Sequence, residues 1–149
     1  MGLDMYLNAK RYVSNYSEAD AELRGELDKL ESLAGMPIKE IVCEAMYWRK
    51  ANAIHDWFVK NVQNGEDDCG TYYVENKQLQ ALVDTCKAIL ADHTLAAELL
   101  PTASGFFFGS TDYDDYYYEE LEATVDGLEK LLSDENIAKN FYFEYHASW

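Results

Sequence analysis

Positive charge is scarce in this 149-residue chain, and the shortage excludes several classes of function. Lysine and arginine together number 12 against 28 aspartates and glutamates, which gives a formal net charge of −16. Such a chain repels nucleic acid, whose binding depends on Lys and Arg at the phosphates, and it repels anionic membrane surfaces. We therefore expect neither direct nucleic-acid binding nor membrane association. The charge favours a basic protein partner, although acidity that serves only solubility is the alternative.

Cysteine is also sparse, and its spacing argues against a zinc site. Cys43, Cys69 and Cys86 are far apart, form no C-x-x-C pair and have no histidine at zinc spacing. This pattern predicts reduced thiols, mostly buried, in a cytoplasmic protein. Residues 1–13 alternate around Asp4, so we expect no signal peptide, and no run of 18 apolar residues predicts a membrane span.

Familiar catalytic motifs are missing as well. The sequence contains no nucleophile elbow, Walker loop, H-E-x-x-H motif or dinucleotide fingerprint. A calcium-loop pattern that opens at Asp112 fails, because Tyr116, Tyr117 and Ala123 occupy positions that need an oxygen ligand, a glycine and a glutamate. We predict no metal site and no cofactor, and a binding protein in preference to an enzyme.

The residues that are present predict one folded domain over 1–149. Hydrophobic residues make up 48% of the chain and aromatic residues 14%, enough for a substantial core. Alternation predicts strands at residues 2–13, 38–48 and 140–146, with a short strand possible at 71–74. Ile41, Cys43, Ala45 and Tyr47 are expected on one face of the second strand.

Helical spacing predicts four or five helices. The best-defined one follows Ser17, a candidate N-cap, and carries Leu23, Leu27, Leu30 and Ala34. Others are expected near residues 49–62, 76–90, 94–100 and 112–132. The fold class is therefore α+β, a small sheet of about three strands with helices packed on one side.

The last predicted helix carries a row of acids. Five acids spaced by four, three, four and three residues share one face: Asp115, Glu119, Glu122, Asp126 and Glu129. The opposite face carries Tyr117, Leu121, Val125, Leu128 and Leu132. Asp112 and Asp114 precede the row, and Glu66, Asp67 and Asp68 form a second acidic patch. A row of carboxylates can imitate a phosphate backbone, whereas the alternative is an ordinary solvated helix face.

Residues 47–60 are locally basic and aromatic. Side chains that could bind an anionic or planar ligand are Trp48, Arg49, Lys50, His55 and Trp57, with His55 as a general base oriented by Asp56 or another carboxylate. The alternative is that the basic residues pair with surplus acids and the tryptophans lie in the core. The aromatic segment 106–108 is a further candidate contact. A phosphate loop at 105–111 is rejected, because Asp112, Asp114 and Asp115 would repel the phosphate.

Three segments of the chain resemble segments of other proteins: residues 1–7 (MGLDMYL), 47–59 (YWRKANAIHDWFV) and 105–118 (GFFFGSTDYDDYYY). In these segments the chain resembles a group of small uncharacterised proteins of bacteriophages and bacteria. The resemblance implies a phage or mobile-element setting in a bacterial cytoplasm, where small acidic proteins often block host nucleases or other defences. It brings no catalytic or binding residue with it.

Our leading hypothesis is a non-enzymatic inhibitor that occupies the nucleic-acid-binding surface of a basic host protein, as DNA-mimicking anti-restriction or anti-CRISPR proteins do. The expected contacts are the acidic row with Asp112 and Asp114, and the patch at 66–68. The alternative is a small-ligand-binding protein or enzyme built around the residues named in 47–60.

Overall fold

Four antiparallel strands form one sheet in the order β2-β1-β4-β3. The computed structural model describes residues 2–105 and 108–149. The strands are β1 (Asp4–Tyr12), β2 (Glu40–Arg49), β3 (Thr71–Val74) and β4 (Tyr142–Ser148). The α+β class is confirmed, with four strands where about three were expected, because the short β3 pairs fully with β4.

The alternation along β1 and β4 assigns one face of the sheet to the core. Met5 and Leu7 of β1 are fully buried, and Phe143 and Tyr145 of β4 are at most 1% exposed. In β2 a register shift opposite Leu7 and Asn8 interrupts the alternation. Tyr47 therefore pairs with Tyr6 on the face of the sheet away from the core. The prediction that Tyr47 shares a face with Ile41 is wrong, because the bulge between them reverses the direction of the side chains.

Six α-helices lie within the described residues: α1 (Ala21–Leu27), α2 (Asn52–Asn61), α3 (Asn76–Ala91), α4 (Ala96–Leu99), α5 (Asp115–Ser133) and α6 (Glu135–Asn140). The short α6 was not expected. A capping box between Glu75 and Gln78 starts α3, and Asp114 caps α5 through the Tyr117 N–H at 3.1 Å. Gly127 allows α5 to pack on β2, since a Cβ there would overlap the sulphur of Met46.

The helix predicted after Ser17 is much shorter than its pattern. Ser17 does cap a first turn through the Ala19 N–H, but α1 ends at Leu27 and has no buried residue. Leu30 is 47% exposed, and Ala34 has a left-handed backbone with φ of 50°. An apolar stripe extends a helix only where another element covers it, and this stripe is not buried.

One connected core joins the sheet to α2, α3 and α5. Of the three free thiols only Cys86 is buried, whereas Cys43 is exposed and Cys69 is partly exposed, so the expectation of mostly buried cysteines is wrong. Burial raises the pKa of Cys86 to about 12. In the described part of the chain, no helix combines the length and apolarity that crossing a bilayer requires.

Candidate functional site

Helix α5 presents the predicted acidic row to solvent. Asp115, Glu119, Glu122 and Asp126 are exposed, and Glu129 is partly exposed. Tyr117, Leu121, Val125 and Leu128 on the other side are buried, and Leu132 is partly buried against the core. The core therefore fixes the orientation of the helix and of its acidic face. We call the five acids the α5 acidic face.

Most of the α5 acidic face has no ion-pair partner. Lys87 on α3 pairs with Glu129. Among residues 2–105 and 108–149, no Lys, Arg or His nitrogen lies within 4.0 Å of the other four carboxylates. Four charges on one side of the helix are thus available to a partner.

The second predicted acidic patch is mostly engaged within the protein. Asp67 accepts hydrogen bonds from the His55 ring at 2.9 Å and from the Trp149 indole at 3.0 Å. Asp68 accepts the Tyr72 hydroxyl at 2.8 Å and the Gly70 N–H at 2.9 Å. These two donors hold the pKa of Asp68 below its usual range. The hydrogen bond between Tyr72 and Asp68 also raises the pKa of Tyr72 to about 12. Only Glu66 remains as a free surface charge in this patch.

His55 is the buried centre of a hydrogen-bond chain that runs from the exposed Asp67 to the buried Tyr145. Its Nε2 meets Asp67, and its Nδ1 lies 2.7 Å from the hydroxyl of Tyr145. Because the carboxylate accepts and the phenol can donate, a neutral ring with its proton on Nε2 satisfies both contacts. Asp67 orients the ring, whereas Asp56 pairs with Lys60 at 2.5 Å. With 1% exposure and both nitrogens occupied, His55 is not placed to take a proton from a ligand.

The other residues of the predicted ligand site do not converge. Trp48 is buried and its indole donates to Thr124 Oγ1 at 2.8 Å, and Trp57 packs edge-on against Phe58. Arg49 is exposed, 4.0 Å from Asp4. Lys50 is the one of the five named residues that lines the cavity between α2 and the segment that follows residue 101. The two tryptophans lie in the core, as the alternative interpretation of this segment had it, and His55 is buried as well.

The cavity lies between the start of α2 and the described residues of the segment 102–120, and it has a volume of about 150 Å³. Ala51, Ala53, Ile54 and Tyr117 form its apolar wall and are all buried. Charged and polar groups surround them: Lys50, Asn52, Thr102, Ser110, Asp112, Asp114, Tyr116 and Glu120, with Gly109 completing the lining. Burial raises the pKa of Glu120, and the neighbouring Tyr116 partly opposes the rise.

Asn52 holds the loop that closes this cavity. Its amide donates to the carbonyls of Phe108 at 3.1 Å and Ser110 at 2.8 Å, and its oxygen accepts the Ala103 N–H at 3.0 Å. Thr102 adds a bond to the Thr111 carbonyl at 2.8 Å. Backbone groups of residues 103, 108 and 110 are therefore held by a side chain that lies more than 50 residues away in sequence.

Asn52, Tyr116 and Glu120 were not expected at a site. Asn52 stands between Ala51 and Ala53, and nothing in that sequence marks it as a site residue. Tyr116 and Glu120 lie off the acidic row and gave no signal either. In the aromatic segment 106–108, Phe106 and Phe107 lie outside the described residues. Phe108 packs edge-on against His55 at 5.4 Å and Trp149 at 6.1 Å, and it is partly buried.

Within the described ranges, no three His, Cys, Asp or Glu side chains are grouped so that they could hold a metal ion. Comparison of the chain with protein-family models, with curated proteins and with solved structures found no match.

Proposed function

We propose that this protein is a non-enzymatic inhibitor whose α5 acidic face occupies the nucleic-acid-binding surface of a basic host protein. The observation that carries the proposal is the row of four exposed carboxylates without ion-pair partners in the described residues. The setting is that of a bacteriophage or mobile element in a bacterial cytoplasm, and the class of activity is that of anti-restriction or anti-CRISPR proteins. The protein itself binds no nucleic acid.

The charge spacing of α5 suits such imitation. The row extends over roughly 21 Å at 1.5 Å per residue. A single DNA strand places a phosphate every 3.4 Å or so along the axis, and would hold about six or seven in that length. The five carboxylates approach the charge of one strand, so a groove that tracks one phosphate backbone is the matching partner surface.

The row also has an energetic cost that a basic partner would remove. Like charges three or four residues apart each destabilise a helix by about 0.2–0.5 kcal/mol. Lys87 relieves only the C-terminal end, at Glu129. Lysines and arginines of a partner would replace this repulsion by attraction, and they would speed the encounter at low salt.

The set of proposed contact residues is smaller than the set that the sequence predicted. Asp112 and Asp114 precede the α5 acidic face along the chain, and both line the cavity. Asp67 and Asp68 have internal partners, so the patch at 66–68 contributes Glu66. The proposed interface is therefore centred on α5.

The test is retention of partners from bacterial lysate by the tagged protein, with identification by mass spectrometry and a parallel lane containing competing DNA. We expect retention of a nucleic-acid-binding protein that DNA or added salt displaces. Glu119→Lys with Glu122→Lys should abolish retention while the protein stays folded.

The matched control is Glu22→Lys with Glu26→Lys. These two glutamates are exposed on α1, have no ion pair in the described residues, and give the same change in net charge. Equal loss of binding in both double variants would indicate a general charge effect and contradict an α5 interface. Unchanged binding in the α5 variant would overturn the proposal.

A further inference from the structure

The cavity between α2 and residues 102–120 is preformed, and its chemistry differs from that of the α5 acidic face. The buried Asn52 side chain fixes three backbone groups of the loop, and Thr102 fixes a fourth. The backbone of Gly109, at φ of 87°, lies against Lys50, where a Cβ would come within 3.1 Å of the lysine Cβ. A wall fixed in this way loses little entropy when a ligand enters.

Both signs of charge line this one cavity. Lys50 has no carboxylate within 4.0 Å among the described residues, and the carboxylates of Asp112 and Glu120 likewise have no ion pair there. Asp114 uses one oxygen to cap α5. The two signs thus share a cavity without neutralising each other, which leaves both available to a ligand.

The start of α2 adds hydrogen-bond donors on the lysine side. Ala51 precedes the helix and provides no side-chain cap, and Ala53 and Ile54 of the first turn line the cavity. N–H groups in the first turn of a helix can donate hydrogen bonds to a carboxylate, particularly beside a lysine. The buried side chains of Ala53 and Ile54 provide the apolar part of the same wall.

Three ligand classes can be compared on these grounds. A simple anion would be attracted by Lys50 but repelled by three carboxylates. A simple cation would be attracted by the three carboxylates but repelled by Lys50. A wholly apolar ligand would contact Ala53, Ile54 and Tyr117 but would pair with none of the charged groups, including the partly buried Glu120. A small zwitterion with an apolar substituent satisfies all three parts of the cavity.

We infer that this cavity binds a small apolar α-amino acid, with the ligand carboxylate at Lys50 and the first-turn amides of α2, and the ligand ammonium at Asp112 and Glu120. The apolar side chain lies against Ala53, Ile54 and Tyr117. This site meets the proposed partner interface at Asp112 and Asp114, whereas Glu119 and Glu122 of the α5 acidic face do not line the cavity.

The test is a titration of the intact ¹⁵N-labelled protein with L-alanine, L-leucine and L-phenylalanine, followed through the amide signals of Ala53, Ile54 and Ser110. Two analogues isolate the charges: 3-methylbutan-1-amine is leucine without its carboxylate, and 4-methylpentanoate is leucine without its ammonium. We expect saturable shifts with at least one amino acid and, for leucine, binding about tenfold tighter than for either analogue. No saturable shift with any of the three amino acids, or equal binding of one analogue, would overturn the inference.

Variants locate the site. Lys50→Met and the double variant Asp112→Asn with Glu120→Gln should each weaken amino-acid binding by about tenfold or more. Lys139→Met and Glu122→Gln change the same residue types outside the cavity and should leave binding unchanged. Loss of binding in these controls, or none in the cavity variants, would place any binding elsewhere and contradict the assignment. The analogue comparison uses the unaltered chain, so it decides the question even if a variant fails to fold.

Discussion

The loop at residues 66–68 and helix α5 both carry closely spaced carboxylates, but the fold uses them in different ways. Asp67 and Asp68 accept hydrogen bonds from His55, Trp149, Tyr72 and the Gly70 backbone. Four acids of the α5 acidic face have no ion-pair partner in the described residues. In the loop the carboxylates stabilise the fold, whereas on α5 they oppose it slightly and are available to a partner. Net charge alone therefore does not locate an interaction surface.

The largest expected effect comes from removing a carboxylate that the fold uses. Asp67→Ala removes two hydrogen bonds and leaves the buried Nε2–H of His55 without an acceptor. We expect a loss of about 2–4 kcal/mol in the free energy of unfolding, measured by urea denaturation. Glu66→Ala, the exposed neighbour, should change it by less than about 0.5 kcal/mol. Similar values for the two variants would contradict the distinction between engaged and free acids.

A smaller effect should appear in the pH dependence of the free energy of unfolding, where Asp68 and Glu120 contribute with opposite signs. The pKa of Asp68 is lowered in the folded protein, so its contribution is present above the unfolded-state pKa and is lost as pH falls. The pKa of Glu120 is raised by burial, so its contribution is present at low pH and is lost as pH rises through the folded-state pKa.

Urea denaturation from acid to neutral pH checks these signs. Asp68→Asn should be least stable relative to the unaltered protein at neutral pH, whereas Glu120→Gln should gain relative stability as pH rises. Parallel curves for the two variants would show that the environments of these carboxyls do not differ as described.

The smallest effect concerns repulsion within the α5 acidic face. Glu122→Gln should raise the free energy of unfolding by about 0.2–0.5 kcal/mol for each repulsive pair that it removes, with Glu119 and with Asp126, and the gain should vanish near 1 M salt. Glu129→Gln should show no such gain, because it also breaks the pair with Lys87. Urea denaturation at low and high salt measures both. A gain that persists in high salt would contradict an electrostatic origin.

Prediction from sequence succeeded where one element determines its own pattern. The apolar stripe of α5 and the alternation of β1 and β4 are periodic, and the core covers those faces as expected. The pattern after Ser17 is equally periodic, yet only Ala21–Leu27 is helical, because no element buries its leucines. The bulge in β2 also escaped prediction, since it depends on the register with β1.

The sequence by itself determined the acidity of the protein, its α+β class and the face on which the α5 acids lie, because composition and periodicity are local properties. Only the tertiary structure decided which charges remain free. It joined His55 to Asp67 and Tyr145, and Asn52 to the loop that closes the cavity. These contacts link residues far apart in the chain, and a hydrogen bond depends on distance and direction in space, which spacing along the sequence does not specify.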